Sequence, residues 1–525
     1  MKAASGRRRG LFARLGPCAR LGGCAVALRA LGLLCMGFSL VLSLQGCVTG
    51  VSPATMRQRG LDAEQAFREQ NWPKAQVAYK AYIGDAGFKR LPEGEQFQAL
   101  RSAAFVGLYH GDREAGYAYL VRLVAMSQSD DQAWTELLRD AHWLKHDADA
   151  VRSLVVLAQR WPDTLLKLDD TVVAGALRGI AKLPRDVQLR SLWALYQAHF
   201  KLKWNVEPSW SWRMLTLLLL EHERLADASQ VLEHITDAEA LMTMRVDNRF
   251  EALVAANPAR FDIEAAAREQ LRLAQETSDQ HPDILALKLE VVSCLRHLRD
   301  YEAMLAATDE LVYEVESTNF PQRLYTDADY DDQYRWLLNL RALALERIGQ
   351  AEASIAQLQA ASRLSEEGAK NVSQVINLGE LFCRLKRPQE ALAAIVDVGP
   401  LSAHGTLEIE SIRLEAAVQL GDAPQIEKSL KFMQAHGADG PDVLERAWVL
   451  AGRGDLAAAH LIGRLLNPAE REGALRSVQD FAPIPETEWE TQFDARWSAL
   501  LARQDVAAAI RKVGRAETFR LELFD

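Results

Sequence analysis

Residues 376–395 read INLGELFCRLKRPQEALAAI, and three of them set a frame. Gly379 is followed twelve positions later by Ala391, and Ala391 four positions later by the bulky Ile395. The same frame recurs as Ala63, Ala75, Tyr79, as Ala103, Ala115, Tyr119 and as Ala342, Ser354, Leu358, while Ala447 and Ala459 keep its first interval. The spacing has a geometric meaning. Two antiparallel helices joined by a tight turn approach closely only where side chains are small, so one small residue on each marks their crossing. The residues between them amount to about two turns of the first helix, the connector and one turn of the second. The bulky residue one turn later fills the space toward the next hairpin. A single hairpin cannot bury its apolar face, so such units must stack.

Helical periodicity runs through most of the chain, and alternation of period two is rare. RWLLNLRALALERIGQAEASIAQLQAASRL (335–364) keeps apolar residues three and four apart and breaks at one glycine. The repeated frame resembles the tetratricopeptide repeat (TPR). Asn377-Leu378-Gly379 and Ala391 stand at family positions. So do Trp72, Ala75 and Tyr79 in AEQAFREQNWPKAQVAYKAY (63–82), and Trp134, Leu137, Ala150, Leu154 and Pro162 in 134–162. Trp212, Leu215 and Leu232 suggest a more degenerate unit. Tyr82 departs from the pattern, standing where a small residue is usual. The resemblance covers 60–162 and 286–395, weakens over 405–468 and fades over 165–285. It implies an all-α solenoid of antiparallel helix pairs, a TPR-like superhelix. The expected organisation is a leader (1–46), a tether (47–58), an N-terminal block (59–165), an irregular helical middle (166–285), a C-terminal block (286–470) and capping helices (471–525). A different helical-hairpin array is the alternative.

The chain of 525 residues carries a formal charge of −10 that conceals a split. Residues 1–46 hold Lys2, Arg7, Arg8, Arg9, Arg14, Arg20 and Arg29 and no acid, so the remainder is more acidic than the whole. Such a body repels a phosphate backbone, which argues against nucleic acid as a ligand. A basic leader followed by an apolar run from Ala30 to Gly46 has the form of a secretory signal, too short for a membrane span. Leu44-Gln45-Gly46-Cys47 resembles the lipobox of bacterial lipoproteins. That resemblance implies lipidation of Cys47, an acylated N-terminus and firm membrane anchoring. Val48, in place of an aspartate, implies the periplasmic face of an outer membrane. An ordinary signal with a chance cysteine is the alternative, and Arg8-Arg9-Gly10-Leu11-Phe12 faintly resembles a twin-arginine signal. Past Cys47 only Cys294 and Cys383 remain, both in apolar helical patterns and expected as buried free thiols.

Catalytic signatures are missing: no Gly-rich phosphate loop, no HExxH, no GxSxG. No enzyme, metal or cofactor is indicated. His142 and His146 stand one helical turn apart without an obvious third ligand, and read as surface residues. TDADYDD (326–332) lacks the glycine and glutamate of a calcium loop and reads as a solvated acidic loop. In LWALYQAHFKLKWNVEPSWSW (192–212), Trp204, Trp210 and Trp212 either fill a junction between blocks or stack on a sugar or a partner's proline. The first helices of tetratricopeptide pairs line a concave groove. Carried to this chain, the resemblance places Asn339, Leu343, Glu346 and Arg347 on one groove helix and Ile376, Glu380 and Arg384 on the next, with the arginines suited to bidentate carboxylates. The expected function is a membrane-anchored periplasmic lipoprotein. It would act as a protein–protein interaction scaffold, its partners envelope proteins or peptide segments in envelope assembly, secretion or cell-wall processes. The alternative is a carbohydrate- or small-ligand-binding envelope protein. RWSALLARQDVAAAIRKVGR (496–515) reads as a final helical pair covering the array's open end. Truncation at Asp494 should therefore expose apolar surface and cause aggregation, read by light scattering; a soluble, cooperatively melting fragment would contradict the cap.

Overall fold

The computed structural model describes residues 51–317, 327–366, 368–481 and 487–523, with backbone alone for 327–332. The leader, Cys47 and Val48 lie outside the described residues. The chain is all-α. Among the described residues the only ladder is a parallel pairing of β1 (Asp480–Phe481) with β2 (Thr518–Phe519). Two compact units divide between Phe200 and Lys201, inside the aromatic stretch 192–212.

The first unit contains three antiparallel pairs: α1 (Pro53–Arg68) with α2 (Trp72–Ile83), α3 (Glu93–His110) with α4 (Arg113–Val124), and α5 (Asp131–Leu144) with α6 (Asp147–Arg160). A one-turn α7 (Pro162–Leu165) follows, then α8 (Asp170–Ile180) and α9 (Arg185–Gln197), both packed on α6. Residues 53–58, expected as tether, are the opening turns of α1. The Ser52 hydroxyl accepts the Thr55 N–H, Pro53 needs no donor partner at the first position, and Met56 is buried. Asn71, Asp112, Asp130 and Asp169 cap four further helices in the same way.

The second unit runs α10 (Ser209–Glu221), α11 (Leu225–Leu232), α12 (Ala238–Val246), α13 (Glu251–Ala256), α14 (Ile263–Gln280), α15 (Leu285–His297), α16 (Tyr301–Ser317), α17 (Asp327–Arg347) and α18 (Ala351–Ser362). It continues with α19 (Ser373–Arg384), α20 (Pro388–Ala394), α21 (Ala403–Leu420), α22 (Ala423–His436), α23 (Pro441–Leu450), α24 (Gly454–Leu466), α25 (Arg471–Ser477), α26 (Glu488–Leu501) and α27 (Gln504–Val513). Pairs form at α10/α11, α15/α16, α17/α18, α19/α20, α21/α22 and α23/α24. Asp327 to Asp332 open α17 instead of forming the expected acidic loop, with Thr326 outside the described residues. Cys294 and Cys383 are buried and unbridged, and burial pushes both thiols far above the ordinary cysteine range.

The turns share one backbone solution. In the three-residue connectors of α1/α2, α10/α11, α15/α16, α17/α18, α19/α20 and α23/α24, the central residue is left-handed: Gln70, Glu223, Arg299, Gly349, Lys386 and Gly452. Only two of the six are glycines, so four non-glycine residues hold a conformation that costs roughly 1 kcal/mol each. The hairpins on either side over-determine that conformation.

The crossings explain the frame. Ala63 and Ala75 are fully buried, and the Ser354 hydroxyl donates to the Ala342 carbonyl at 2.7 Å, so that helix pair meets at backbone distance. A Cβ on Gly379 would lie 3.0 Å from Ile412 and 3.2 Å from Ile395, which makes glycine the residue that fits. Tyr82, the departure, is buried against Gly60, where a Cβ would sit 3.1 Å from the ring; glycine on α1 makes the room that a small residue on α2 would have supplied. In the second pair the frame slips by one. Ala103 is buried as expected, beside Ala104, but on α4 Gly116 and Leu120 are buried where Ala115 and Tyr119 were expected, and those two are half-buried. The cause is the close approach of Gly107 to Gly116, where an added Cβ would lie 2.6 Å from backbone. At α23/α24 Ala447 is fully buried as expected, but Ala459 is exposed, and Ala457 and Leu461 are the buried positions of α24. Glu445, on α23, is fully buried as well and is held by His460 (2.8 Å) and Arg464 (2.6 Å). Thr216, Ala228 and Leu232 keep the frame, fully buried, in α10/α11, where the resemblance had faded.

These contacts predict opposite outcomes for two helical glycines. Gly107→Ala drives a methyl into the facing backbone and should cost about 1–3 kcal/mol. Gly463→Ala meets open space within α24 and should gain about 0.5–1 kcal/mol. Urea-unfolding midpoints followed by circular dichroism check both.

Candidate functional site

The first helices of the C-terminal pairs, α17, α19, α21 and α23, present a polar face. Side chains tie its helices together. Arg384 takes Glu346 bidentately (Nε–Oε1 2.8 Å, Nη2–Oε2 2.9 Å), and Asn377 donates to Asn339 at 2.7 Å. Burial raises the Glu346 carboxyl, yet the Arg384 and Arg347 charges hold it below its ordinary value. Leu343 and Ile376 turn to the apolar layers beneath, packed against the cores of α15–α17 and α17–α21. They are core-edge residues rather than groove lining.

The chain's own C-terminal segment occupies this face. The capping box at Thr487 starts α26. Glu490 then stands 3.7 Å from Arg384 Nε and 4.0 Å from Arg347 Nη1. The Trp489 indole donates to Glu415 Oε1 at 2.6 Å; Arg446 reaches the other Glu415 oxygen at 3.3 Å and lies 4.4 Å over the Phe493 ring. Past α27 the chain returns. Glu522 accepts from Arg347 at 3.1 Å and from the Tyr301 hydroxyl at 2.7 Å, its N–H donates to the His297 carbonyl, and Leu521 and Leu523 are buried. The same segment closes the unit on its beginning. Arg213 pairs with Glu472 (2.7 Å), Arg476 with Glu239 (2.5 Å) and Arg245 with Glu517 (2.7 Å), while Asp247 bridges Gly514. Arg347 and Arg384, expected to meet a partner's carboxylates, therefore meet Glu522 and Glu346 of this chain. Glu415, Arg446, Trp489, Glu490 and Glu522 complete the site and were not singled out in the sequence. Glu415 and Arg446 lie where the repeat pattern weakens, and the other three lie outside it.

Glu380 sits among these groups. Burial pushes its carboxyl up to about 7, Glu408 and Glu415 add to the rise, and Arg384 and Arg446 oppose it. Glu290 on α15 is likewise raised to about 7, by burial and then by Asp237.

The other candidates have separate surroundings. Trp212 is 1% exposed, with its indole donating to Glu207 at 2.9 Å, so it offers no ring face to a sugar or a proline. Trp210 is flanked by Arg213 (4.9 Å) and Arg476 (5.6 Å). Trp204 carries Lys203 over its ring at 4.8 Å. His146 is exposed and stacks on Tyr117, but His142 is half-buried, its ring where a Cβ on Gly175 would fall. Among the described residues no three His, Cys, Asp or Glu side chains converge as metal ligands.

A carboxyl raised in the folded chain favours folding fully below its ordinary value of 4.5 and loses that contribution as pH rises through about 7. Glu380→Gln should match the parent near pH 4.5 and exceed its stability at pH 8, by on the order of 1–3 kcal/mol. Thermal midpoints across that range check it; a constant difference at all pH values would refute the assignment.

No family model matches the chain, and no curated protein does. Solved structures similar to it include the P58(IPK) TPR domain (13% identity, covering 76% of this chain and 99% of that one, TM-score 0.18). Others are the APC/C hetero-tetramer Cut9-Hcn1 (12%, 88% and 96%, TM-score 0.26) and Naa15/Naa10 bound to HypK-THB (11%, 87% and 80%, TM-score 0.21). Likenesses at these scores place the chain in no family.

Proposed function

We propose that this chain is a protein-docking scaffold of a bacterial envelope, held to the outer membrane through a lipidated Cys47 and facing the periplasm. One observation carries the docking half: the first-helix face already grips a protein segment, through a charge-assisted bond from Arg347 to Glu522 and an indole bond from Trp489 to Glu415. Arginines in a fixed fork, backed by carboxylates that orient them, suit recognition of polar helical or extended protein segments. The anchoring half rests on Leu44-Gln45-Gly46-Cys47 at the end of an apolar run behind a basic leader. An exposure of only 1% for Trp212 weighs against carbohydrate stacking through the tryptophan stretch.

Expression in a diderm bacterium with a palmitate analogue should label the parent and not Cys47→Ser, and the variant should move from the membrane to the soluble periplasmic fraction. Membrane retention of both without label would end the anchoring reading. Crosslinking in intact cells, followed by mass spectrometry, should join the parent to another envelope protein. Crosslinks confined to this chain itself would count against a scaffold.

A further inference from the structure

We propose that the face of α19, α21 and α23 is a recognition site for a helix whose first turn is acidic and carries an indole, and that α26 is its resident, exchangeable occupant. The proposal deepens the docking reading and rests on it.

The burial pattern singles out α26. It buries only Trp489 and Leu500, whereas α24 buries Ala457, Ala458, Leu461, Arg464 and Leu465, and α27 buries Val506, Ala509, Ile510 and Val513. The tail beyond α27 is fixed by Phe519, Leu521, Leu523 and both oxygens of Glu522. A helix held at two buried residues between firmly packed neighbours opens at a fraction of the global unfolding cost. Its own capping box, Thr487 with Glu490, satisfies its first N–H groups without help from the face.

What α26 contributes to the face is small and specific. The ion pairs of Glu490 are long, at 3.7 and 4.0 Å, and Lys386–Glu488 is exposed, so neither contributes much. The selective contacts are the indole N–H on Glu415, the Phe493 ring beneath Arg446, and the Arg496 guanidinium on the Leu450 carbonyl. A partner helix of the same chemistry would remake each of them, with Arg384 and Arg347 bordering its acidic first turn, Arg446 over its aromatic ring and Glu415 taking its indole. The face loses nothing in the exchange. The tethered α26 competes at an effective concentration in the millimolar range, so the closed chain takes a free helix weakly and an opened one takes it well.

The test uses the full chain and a fluorescein-labelled peptide of residues 487–503. Trp489→Ala with Glu490→Ala should bind it at least about tenfold more tightly than the parent. Adding Glu415→Ala and Arg446→Ala should abolish that gain, and so should a peptide lacking the indole. Equal binding by parent and variant, or a gain that survives the changes in the face, would overturn the proposal. Should the double variant lose its helical circular dichroism, Trp489→Phe with Glu490→Gln removes the indole donor and the charge while keeping the shape, and a smaller gain is expected. Hydrogen exchange on the parent is the independent check. Amides of α26 should exchange faster than those of α24 and α27, and equally slow exchange would refute exchangeability. Peptide binding without any cellular partner would support this site and not the scaffold; a cellular partner with no peptide binding would do the reverse.

Discussion

Everything in this chain hangs on how closely two helices can cross. Where Ser354 reaches the Ala342 carbonyl, or where Gly107 faces Gly116, no side chain separates the backbones. Close crossing multiplies van der Waals contact along the pair and turns the remaining apolar residues outward to the next pair. The stack is then a succession of such crossings, each buried by its neighbours. The left-handed residue at the turn centre follows from the same constraint, because a three-residue connector between helices this close has few backbone solutions.

Glu445 marks the limit of that rule. A carboxylate is fully buried between two paired helices, and it persists because His460 and Arg464 satisfy both its oxygens from the facing helix. Removing either partner would strand a buried charge, which costs far more than an ordinary hydrogen bond contributes. The polar face works by similar logic. Arg384 is committed to Glu346 and Arg347 to Glu522, so the charges that border the face hold one another in place.

Much of the fold was legible because the frame depends on residue size, which a sequence displays directly. Ala63, Ser354 and Gly379 could be read off as crossings. The one-residue slip to Gly116 and Leu120 could not, since Ala115 and Tyr119 fit the pattern as well and only three-dimensional approach separates them. Four of the six turn centres were hidden for a different reason: Gln70, Glu223, Arg299 and Lys386 carry no mark of a left-handed backbone. The site was half legible. Glu346 and Arg347, and Glu380 and Arg384, lie on the first helices of successive pairs, which helical spacing reveals. Their occupants lie far along the chain, Trp489 74 residues from Glu415 and Glu522 175 residues from Arg347, and no local pattern connects them. Leu343 and Ile376 were misplaced because the rotation of a helix about its axis is set by packing, which spacing alone does not fix.

Closure of the second unit has a kinetic consequence. Glu239, Arg245 and Asp247 near its beginning are satisfied by Arg476, Glu517 and Gly514 near the end of the chain. A linear stack can grow pair by pair as the polypeptide emerges, because each new hairpin finds its neighbour already present. This unit cannot finish that way. Its opening helices wait for a segment made far later, and loop closure over most of its length comes before the contacts that reward it. Until then its first helices carry exposed apolar and charged surface, which makes the interval between first and last residue the period in which the chain most needs protection from its neighbours.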